Sequence, residues 1–148
     1  MGSTCSVNSI NREVTVKHTY RLKYLRIALV VFGAIMAFGF YPLTLIWPSG
    51  WVWHQGQSDY LMMIIGIYAT LGVFLLFAAR DPLKHLSLIW FTVWSSLVHG
   101  GIMAFQSLSS PDHAGHLLGD VPALLIVAIV FALLTPRGDT SIVEHTET

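Results

Sequence analysis

Three side chains capable of acid–base or metal chemistry, His99, His116 and Asp120, fall within or beside long apolar stretches. Asp120 is the only carboxylate in the interior of such a stretch, and a charged Asp at the middle of a membrane helix costs about 2.5–3.5 kcal/mol. We therefore expect Asp120 to be neutral or paired, and the sequence favours His99 as its partner. His116 shares a helical face with Asp120, four residues away.

These three residues admit three kinds of chemistry. A hydrogen bond from His99 to Asp120 would clamp the third helix onto the fourth. A buried acid–base pair could relay protons, because His changes charge near physiological pH. Two imidazoles and one carboxylate could also form a redox, metal or quinone site, with zinc or iron as the metal. The spacing matches no HExxH-type motif, so all three hypotheses stay open.

Further polar residues accompany this cluster along a stripe on the third helix and at the start of the fourth. The candidate peripheral residues are Ser95, Ser96, Met103, Gln106 and His113. Small residues sit beside the cluster: Gly100 and Gly101 on the third helix, and Gly115 and Gly119 on the fourth. Glycines at such spacing let backbones approach closely, so we expect helices 3 and 4 to pack tightly there. That packing disfavours a haem between them.

The elements that carry these residues are four apolar segments without a Lys or Arg, at about 27–47, 60–79, 86–106 and 112–134. The chain has 148 residues, of which 54% are hydrophobic and 11% charged, and its mean hydropathy is +0.64. Each segment suits a hydrocarbon core of about 30 Å. The pattern predicts an all-α polytopic membrane protein, a left-handed antiparallel four-helix transmembrane bundle.

Local sequence refines the ends of these helices. We expect helix 4 to begin near Pro111 and to be kinked at Pro122, which would free a carbonyl beside Asp120. Asp81 is expected to cap helix 3, with Pro82 in its first turn. The first connection is rich in aromatic residues and is predicted to form an interfacial belt; these residues are Trp47, Trp51, Trp53 and His54.

The eight Lys and Arg residues lie on one side of this pattern, in the N-terminal arm, the second connection and the C-terminal tail. Such a bias predicts that both termini are cytoplasmic. Residues 1–19 are predicted to form a mobile cytoplasmic arm, 20–135 the transmembrane domain and 136–148 a mobile tail. The single cysteine, Cys5, allows neither an intramolecular disulfide nor a cysteine zinc site.

Three stretches resemble a bacterial family of small four-span membrane proteins of unknown function: Ile67 to Leu83, Ser87 to Ser96 with His99, and His116 to Pro122. The resemblance covers roughly residues 50–136. It implies a bacterial origin and a four-helix membrane fold, and hence a bacterial plasma (inner) membrane location. It implies no activity.

The sequence therefore favours a small integral membrane protein that acts as an accessory or partner-binding subunit. It favours a protein without enzymatic activity over an enzyme. The partners expected are the lipid bilayer and a homo-oligomer or larger membrane complex, without nucleic acid. No cofactor is required by the sequence. The alternatives are a redox or metal/quinone-binding protein that uses His99, His116 and Asp120, and a proton-coupled transporter that works as an oligomer.

Overall fold

The fold is all-helical: a computed structural model describes residues 3–52, 59–109 and 111–136, and no strand occurs among them. Four helical segments are long and apolar enough to cross a membrane: His18–Ile46, Asp59–Ala78, Pro82–Ser109 and Ala114–Leu134. We call them helices 1 to 4. The predicted fold class, an all-α membrane bundle of four helices, is confirmed.

The regular elements that form these helices, some of which extend beyond the apolar segments, have the following bounds. Helix 1 consists of an α-helix Ser3–Ala34, a π-helical segment Ile35–Gly39 and an α-helix Phe40–Ile46, and a short helix Pro48–Trp51 follows it. Helix 2 is Asp59–Ala78. Helix 3 opens with a 3₁₀ turn, Pro82–His85, and continues as Leu86–Ser109. Helix 4 opens with a 3₁₀ segment, Pro111–Leu117, and continues as Asp120–Leu134.

Helix 1 begins earlier than the sequence predicted, because its first α-helix starts at Ser3 rather than after an arm of 19 residues. No Gly or Pro occurs between residues 3 and 32, so nothing in the backbone chemistry ends a helix there. This stretch is polar and lacks the apolar periodicity from which a helix is predicted. Residues 137–148, most of the predicted tail, lie outside the described residues.

Helices 3 and 4 make the most extensive contact in the bundle, and helix 1 packs against helices 2 and 4. Helices 2 and 3 are joined by a tight turn but contact each other little. We call the end of the bundle that carries this turn the basic end, because the described Lys and Arg side chains lie there. The opposite end, with the first and third connections, is the outer end.

The core is dense near the basic end and thin near the outer end. Its larger cluster contains fully buried Leu25, Leu29, Leu75, Ile89 and Phe131. The outer cluster has three buried members, Met103, Val121 and Leu124. Burial of apolar area is the main source of packing energy, and the dense cluster near the basic end supplies most of it. The outer half, with fewer buried apolar side chains, therefore has room for a cavity between its helices.

Gly33 and Gly72 bring helices 1 and 2 together where the π-helical segment begins. A Cβ atom on Gly72 would lie 2.6 Å from the Gly33 carbonyl oxygen and 2.5 Å from the Ala37 amide nitrogen. Backbone atoms this close leave no room for any side chain. π-Helical segments often mark functional sites, and this one places Ile35 and Met36 on the cavity described below.

Arg21 joins helix 1 to the end of helix 4 at the basic end of the bundle. Its guanidinium donates hydrogen bonds to the carbonyl oxygens of Leu133, at 2.8 Å, and Thr135, at 3.3 Å. These carbonyls belong to the C-terminal end of helix 4, where a cation is favoured by the helix dipole. Arg21 is thus a helix cap as well as a flanking charge.

The turn between helices 2 and 3 differs in detail from the prediction. Pro82 occupies the first turn, as expected, but in the described structure Asp81 makes no side-chain capping hydrogen bond. Its carboxylate instead accepts from the Lys84 ammonium at 2.8 Å. That hydrogen bond and the charge of Lys84 hold the pKa of Asp81 below its ordinary value. The charged donor outcompetes the local backbone amides for this carboxylate.

Candidate functional site

The partner of Asp120 is His116. The His116 Nδ1 donates to Asp120 Oδ2 at 2.8 Å, and both side chains are almost fully buried, with 1% and 6% of their area exposed. This contact corrects the predicted pairing of Asp120 with His99. The reason is local: His116 lies at the end of a 3₁₀ segment and Asp120 starts an α-helix, and the turn between them folds the imidazole back onto the carboxylate.

Helix 4 starts its α-helical part at Asp120, nine residues after Pro111, which is later than predicted. Pro122 is consequently the third residue of this α-helix and not a kink within it. A proline in the first turn costs no hydrogen bond, because the amide it lacks would have had no partner. Asp120 lies at the positive end of the helix dipole, which favours a carboxylate there.

Gly115 and Gly119 pack against a different element from the one predicted. A Cβ on Gly115 would overlap the carbonyl oxygen of Ser49, and a Cβ on Gly119 would lie 2.8 Å from the Cα of Gly50. The atoms nearest to both glycines therefore belong to the backbone of the short helix Pro48–Trp51. The first connection thereby folds back against the residues that carry the His116–Asp120 pair.

Gly100 and Gly101 of helix 3 have different surroundings. A Cβ on Gly100 would meet the Cβ of Leu124 on helix 4 at 3.3 Å, so Gly100 does lie in the predicted helix 3–helix 4 contact. Around Gly101 no described atom lies within 4 Å of such a Cβ. Only one of the four predicted packing glycines thus stands between helices 3 and 4.

His99 contacts an aromatic side chain instead of Asp120. Its ring meets Tyr68 of helix 2 edge to face, with centroids 5.9 Å apart. Tyr68 in turn stacks on Phe40 at 4.9 Å, and Phe40 meets Trp51 edge to face at 5.2 Å. These four rings, Trp51, Phe40, Tyr68 and His99, form a continuous row from the outer end to the middle of the bundle, which we call the aromatic row.

A cavity of about 680 Å³ lies beside the aromatic row, in the outer half of the bundle. All four rings of the row line it, and Asp120 lines it from helix 4. Its other walls are mainly aliphatic and include Met36, Ile64, Met103, Leu124 and Val127. The exposed side chains among its lining mark where it opens to the surface: Ile35, Tyr60, Ile102, Gln106 and Ile126.

Two buried polar atoms of the cavity lining have no hydrogen-bond partner within the described part of the chain. One is Asp120 Oδ1, the carboxylate oxygen that His116 does not use. The other is the indole Nε1 of Trp51. Buried polar groups are nearly always paired in folded proteins, so an acceptor and a donor left over beside one cavity indicate a missing polar partner.

The chain matches the model of a protein family over residues 19–143. It belongs to the DUF6632 family, a family of unknown function. The match covers most of the chain, including helix 1 from residue 19 onward, the whole of helices 2 to 4 and every residue of the cavity lining. Neither the curated proteins nor the solved structures contain a significant match.

The polar stripe of helix 3 is largely satisfied by the helix itself in this DUF6632 protein. Thr92 Oγ1 donates to the Leu88 carbonyl at 2.9 Å, and Ser95 Oγ donates to the Thr92 carbonyl at 3.3 Å. Thr92 and Ser96 are buried, as a stripe that faces the bundle requires. Hydroxyls bonded to their own backbone do not connect into a chain of donors and acceptors, so the predicted proton path toward the basic end has no support here.

The three residues of the predicted metal site do not come together in the described structure. Among residues 3–52, 59–109 and 111–136, no three His, Cys, Asp or Glu side chains come together as a metal would require. His116 and Asp120 form a pair, while His99 is held against Tyr68. Of the peripheral residues, Met103 and Gln106 line the cavity, and the His113 side chain lies outside what the structure describes, as do Trp53 and His54.

Several residues of the site were not predicted. Nothing in the sequence distinguishes Phe40, Ile64 and Tyr68 from other apolar or aromatic residues of membrane helices, and Trp51 was predicted to be part of an interfacial belt. The available signal was the proline pair around the first connection: Pro42 and Pro48 favour the end of one helix and the start of another, and so allow the chain to turn back. No feature of the sequence places Trp51 on Phe40.

Proposed function

We propose that this membrane protein binds a lipophilic small molecule or lipid in the cavity between the outer halves of its four helices. The observation that carries the proposal is a cavity of about 680 Å³ whose walls are aromatic and aliphatic, with one buried carboxylate oxygen left without a partner in the described structure. Ligand sites typically enclose about 300–1,000 Å³ and combine apolar walls with few polar groups.

The walls and the openings support the same class of ligand. Exposed lining side chains such as Ile35, Ile102 and Ile126 are apolar and belong to membrane-spanning segments, so a ligand can enter from the hydrocarbon layer. The polar side chains of the lining include Asp120 inside the cavity and Gln106 and Tyr60 at its outer opening. An amphiphile with one polar end matches this distribution.

Photolabelling with an apolar aryl diazirine tests the proposal. Full-length protein in liposomes is irradiated with the probe, and labelled residues are identified by mass spectrometry. Met103 is only 9% exposed and lines the cavity, whereas Phe105 is 74% exposed on the lipid-facing side of the same helix. We expect both to be labelled, Met103 through the cavity and Phe105 from lipid. Labelling of Phe105 without Met103 would refute the proposal.

A matched pair of variants sharpens this result. Ala123→Leu adds bulk to the cavity wall and should reduce the labelling of Met103 but not of Phe105. Gly101→Leu also introduces a leucine, on helix 3 where a Cβ would have no described atom within 4 Å, and it should change neither. Equal labelling of Met103 in the two variants would show that the probe does not reach it through the cavity.

We also propose that the protein lies in the plasma membrane with both termini cytoplasmic. The support is the segregation of all eight Lys and Arg residues to one side of the hydropathy pattern. A membrane-impermeant maleimide should label the single cysteine, Cys5, only after permeabilisation of cells. A Cys5→Ser/Gln57→Cys variant, with its thiol in the first connection, should be labelled in intact cells. The opposite pattern would invert the orientation.

The accessory-subunit role stays a prediction alongside ligand binding, as do a homo-oligomer and membership of a larger complex. Chemical cross-linking in native membranes, followed by affinity purification of the full chain, addresses them. Recovery of only the monomer mass would count against all three.

A further inference from the structure

We propose that the cavity accepts a lipophilic hydroxyarene, a phenol or hydroquinone head group with an aliphatic tail. This inference rests on the proposed function and specifies its ligand. The head group would donate a hydrogen bond to Asp120 and accept one from Trp51 while its flat ring lies against the aromatic row. No chemical transformation of the ligand is part of the proposal.

The Asp120 side of the cavity requires a donor. Its Oδ2 already accepts from His116, and its Oδ1 is buried without a partner in the described structure. A carboxylate oxygen can only accept, so an aliphatic or ether ligand would leave it unsatisfied. A phenolic hydroxyl is a suitable group, since hydrogen bonds from O–H donors to ionised acceptors are among the stronger ones.

The Trp51 side requires an acceptor. The indole N–H is donor-only, and its nitrogen is buried without a partner among the residues described. A simple organic cation would satisfy Asp120 but has nothing to offer Trp51. A ligand that carries both a hydroxyl donor and a second oxygen can offer each group the partner it lacks.

The walls between these two groups suit a flat ring and a tail. Phe40 and Tyr68 are nearly parallel, at 10°, and stand between Trp51 and His99 in the aromatic row. Aromatic groups pack well in stacked or edge-to-face arrangements against such rings. The alkyl chain leaves the ring at the Trp51 end, where Leu43, Leu61 and Ile64 of the lining offer aliphatic surface.

Protection against the diazirine label provides the test, with three related compounds as competitors. Para-decyloxyphenol has both the donor and the second oxygen; its methyl ether lacks the donor; para-decylphenol lacks the second oxygen. In the wild-type protein, we expect para-decyloxyphenol to halve the labelling of Met103 at a concentration about tenfold below either control, as expected for one lost hydrogen bond to a buried group. Equal potency of the phenol and its methyl ether would overturn the inference.

Two variants assign the hydrogen bonds to their residues. In Asp120→Asn the amide oxygen is expected to keep the hydrogen bond from His116, which turns the NH2 donor toward the ligand and should abolish the advantage of the phenol over its methyl ether. Trp51→Phe keeps an aromatic ring but lacks the N–H, and should abolish only the advantage over para-decylphenol. Helical circular dichroism and retained Met103 labelling without competitor confirm that each variant is folded. Unchanged preferences in both variants would refute the assignments.

The outcomes separate this inference from the proposed function. If Met103 is labelled but no hydroxyarene protects it, the cavity binds lipophilic molecules and the ligand class is wrong. If decyltrimethylammonium protects at lower concentration than para-decyloxyphenol, the site is one for organic cations and the hydroxyarene inference fails. If Met103 is never labelled, both the proposed function and this inference fail.

Discussion

Replacing Gly119 by Ala tests the contact that shapes the outer end of the protein. The new Cβ would lie 2.8 Å from the Cα of Gly50 and 2.9 Å from its carbonyl carbon. Both are backbone atoms, so no side chain can rotate away to relieve the overlap. Overpacking of this kind costs about 1–3 kcal/mol. The stiffer unfolded chain offsets about 0.4–1 kcal/mol of that cost, so we expect a net loss of about 1–2 kcal/mol.

Gly101→Ala is the matched control. It makes the same chemical change within helix 3, where no described atom would lie within 4 Å of the new methyl group. An exposed helix interior favours Ala over Gly by about 0.8–1.0 kcal/mol, so this variant should be neutral or slightly more stable.

The free energy of unfolding of both variants can be measured by titration with sodium dodecyl sulfate in mixed micelles, followed by circular dichroism. We expect Gly119→Ala to be less stable than Gly101→Ala by about 2 kcal/mol. If Gly101 and Gly119 instead faced each other between helices 3 and 4, both substitutions would destabilise the protein. Similar losses in the two variants would therefore contradict the observed packing.

Two further predictions concern stability in the same assay. His116→Ala should lower the free energy of unfolding by about 3–5 kcal/mol, because it leaves the buried Asp120 carboxylate without its partner. A double-mutant cycle of His116→Ala with Asp120→Asn should give a larger coupling energy than the cycle of His99→Ala with Asp120→Asn. A larger coupling for His99 would support the His99–Asp120 pairing that the sequence predicted. Arg21→Ala should lower the free energy of unfolding by about 1 kcal/mol, because it removes the cap of helix 4. Lys23 is an exposed neighbour on helix 1, and Lys23→Ala should stay within about 0.5 kcal/mol of the wild type. Equal effects of the two substitutions would show that the hydrogen bonds of Arg21 do not stabilise the protein.

Some residues of the candidate site could be predicted from the sequence, but their contacts could not. Asp120 stands out because a carboxylate in an apolar stretch needs a partner, and the structure provides one through a hydrogen bond at 2.8 Å. The predicted partner was wrong because the prediction assumed a regular α-helix from Pro111 onward. A 3₁₀ segment and a turn precede Asp120 instead, so the side chains before it do not occupy the positions that a regular α-helix would give them.

The sequence by itself determined the four membrane helices, because burying a backbone in lipid requires long apolar helices, and this requirement is local to each segment. It also determined that Asp120 needs a partner. Only the tertiary structure decided that Gly115 and Gly119 admit the short helix Pro48–Trp51, that Trp51 joins Phe40, and that a cavity lies beside them. These contacts join residues from separate helices, and in an apolar sequence many such pairings have similar hydrophobicity. Steric fit between backbones and rings selects among them, and a linear pattern carries no record of that fit.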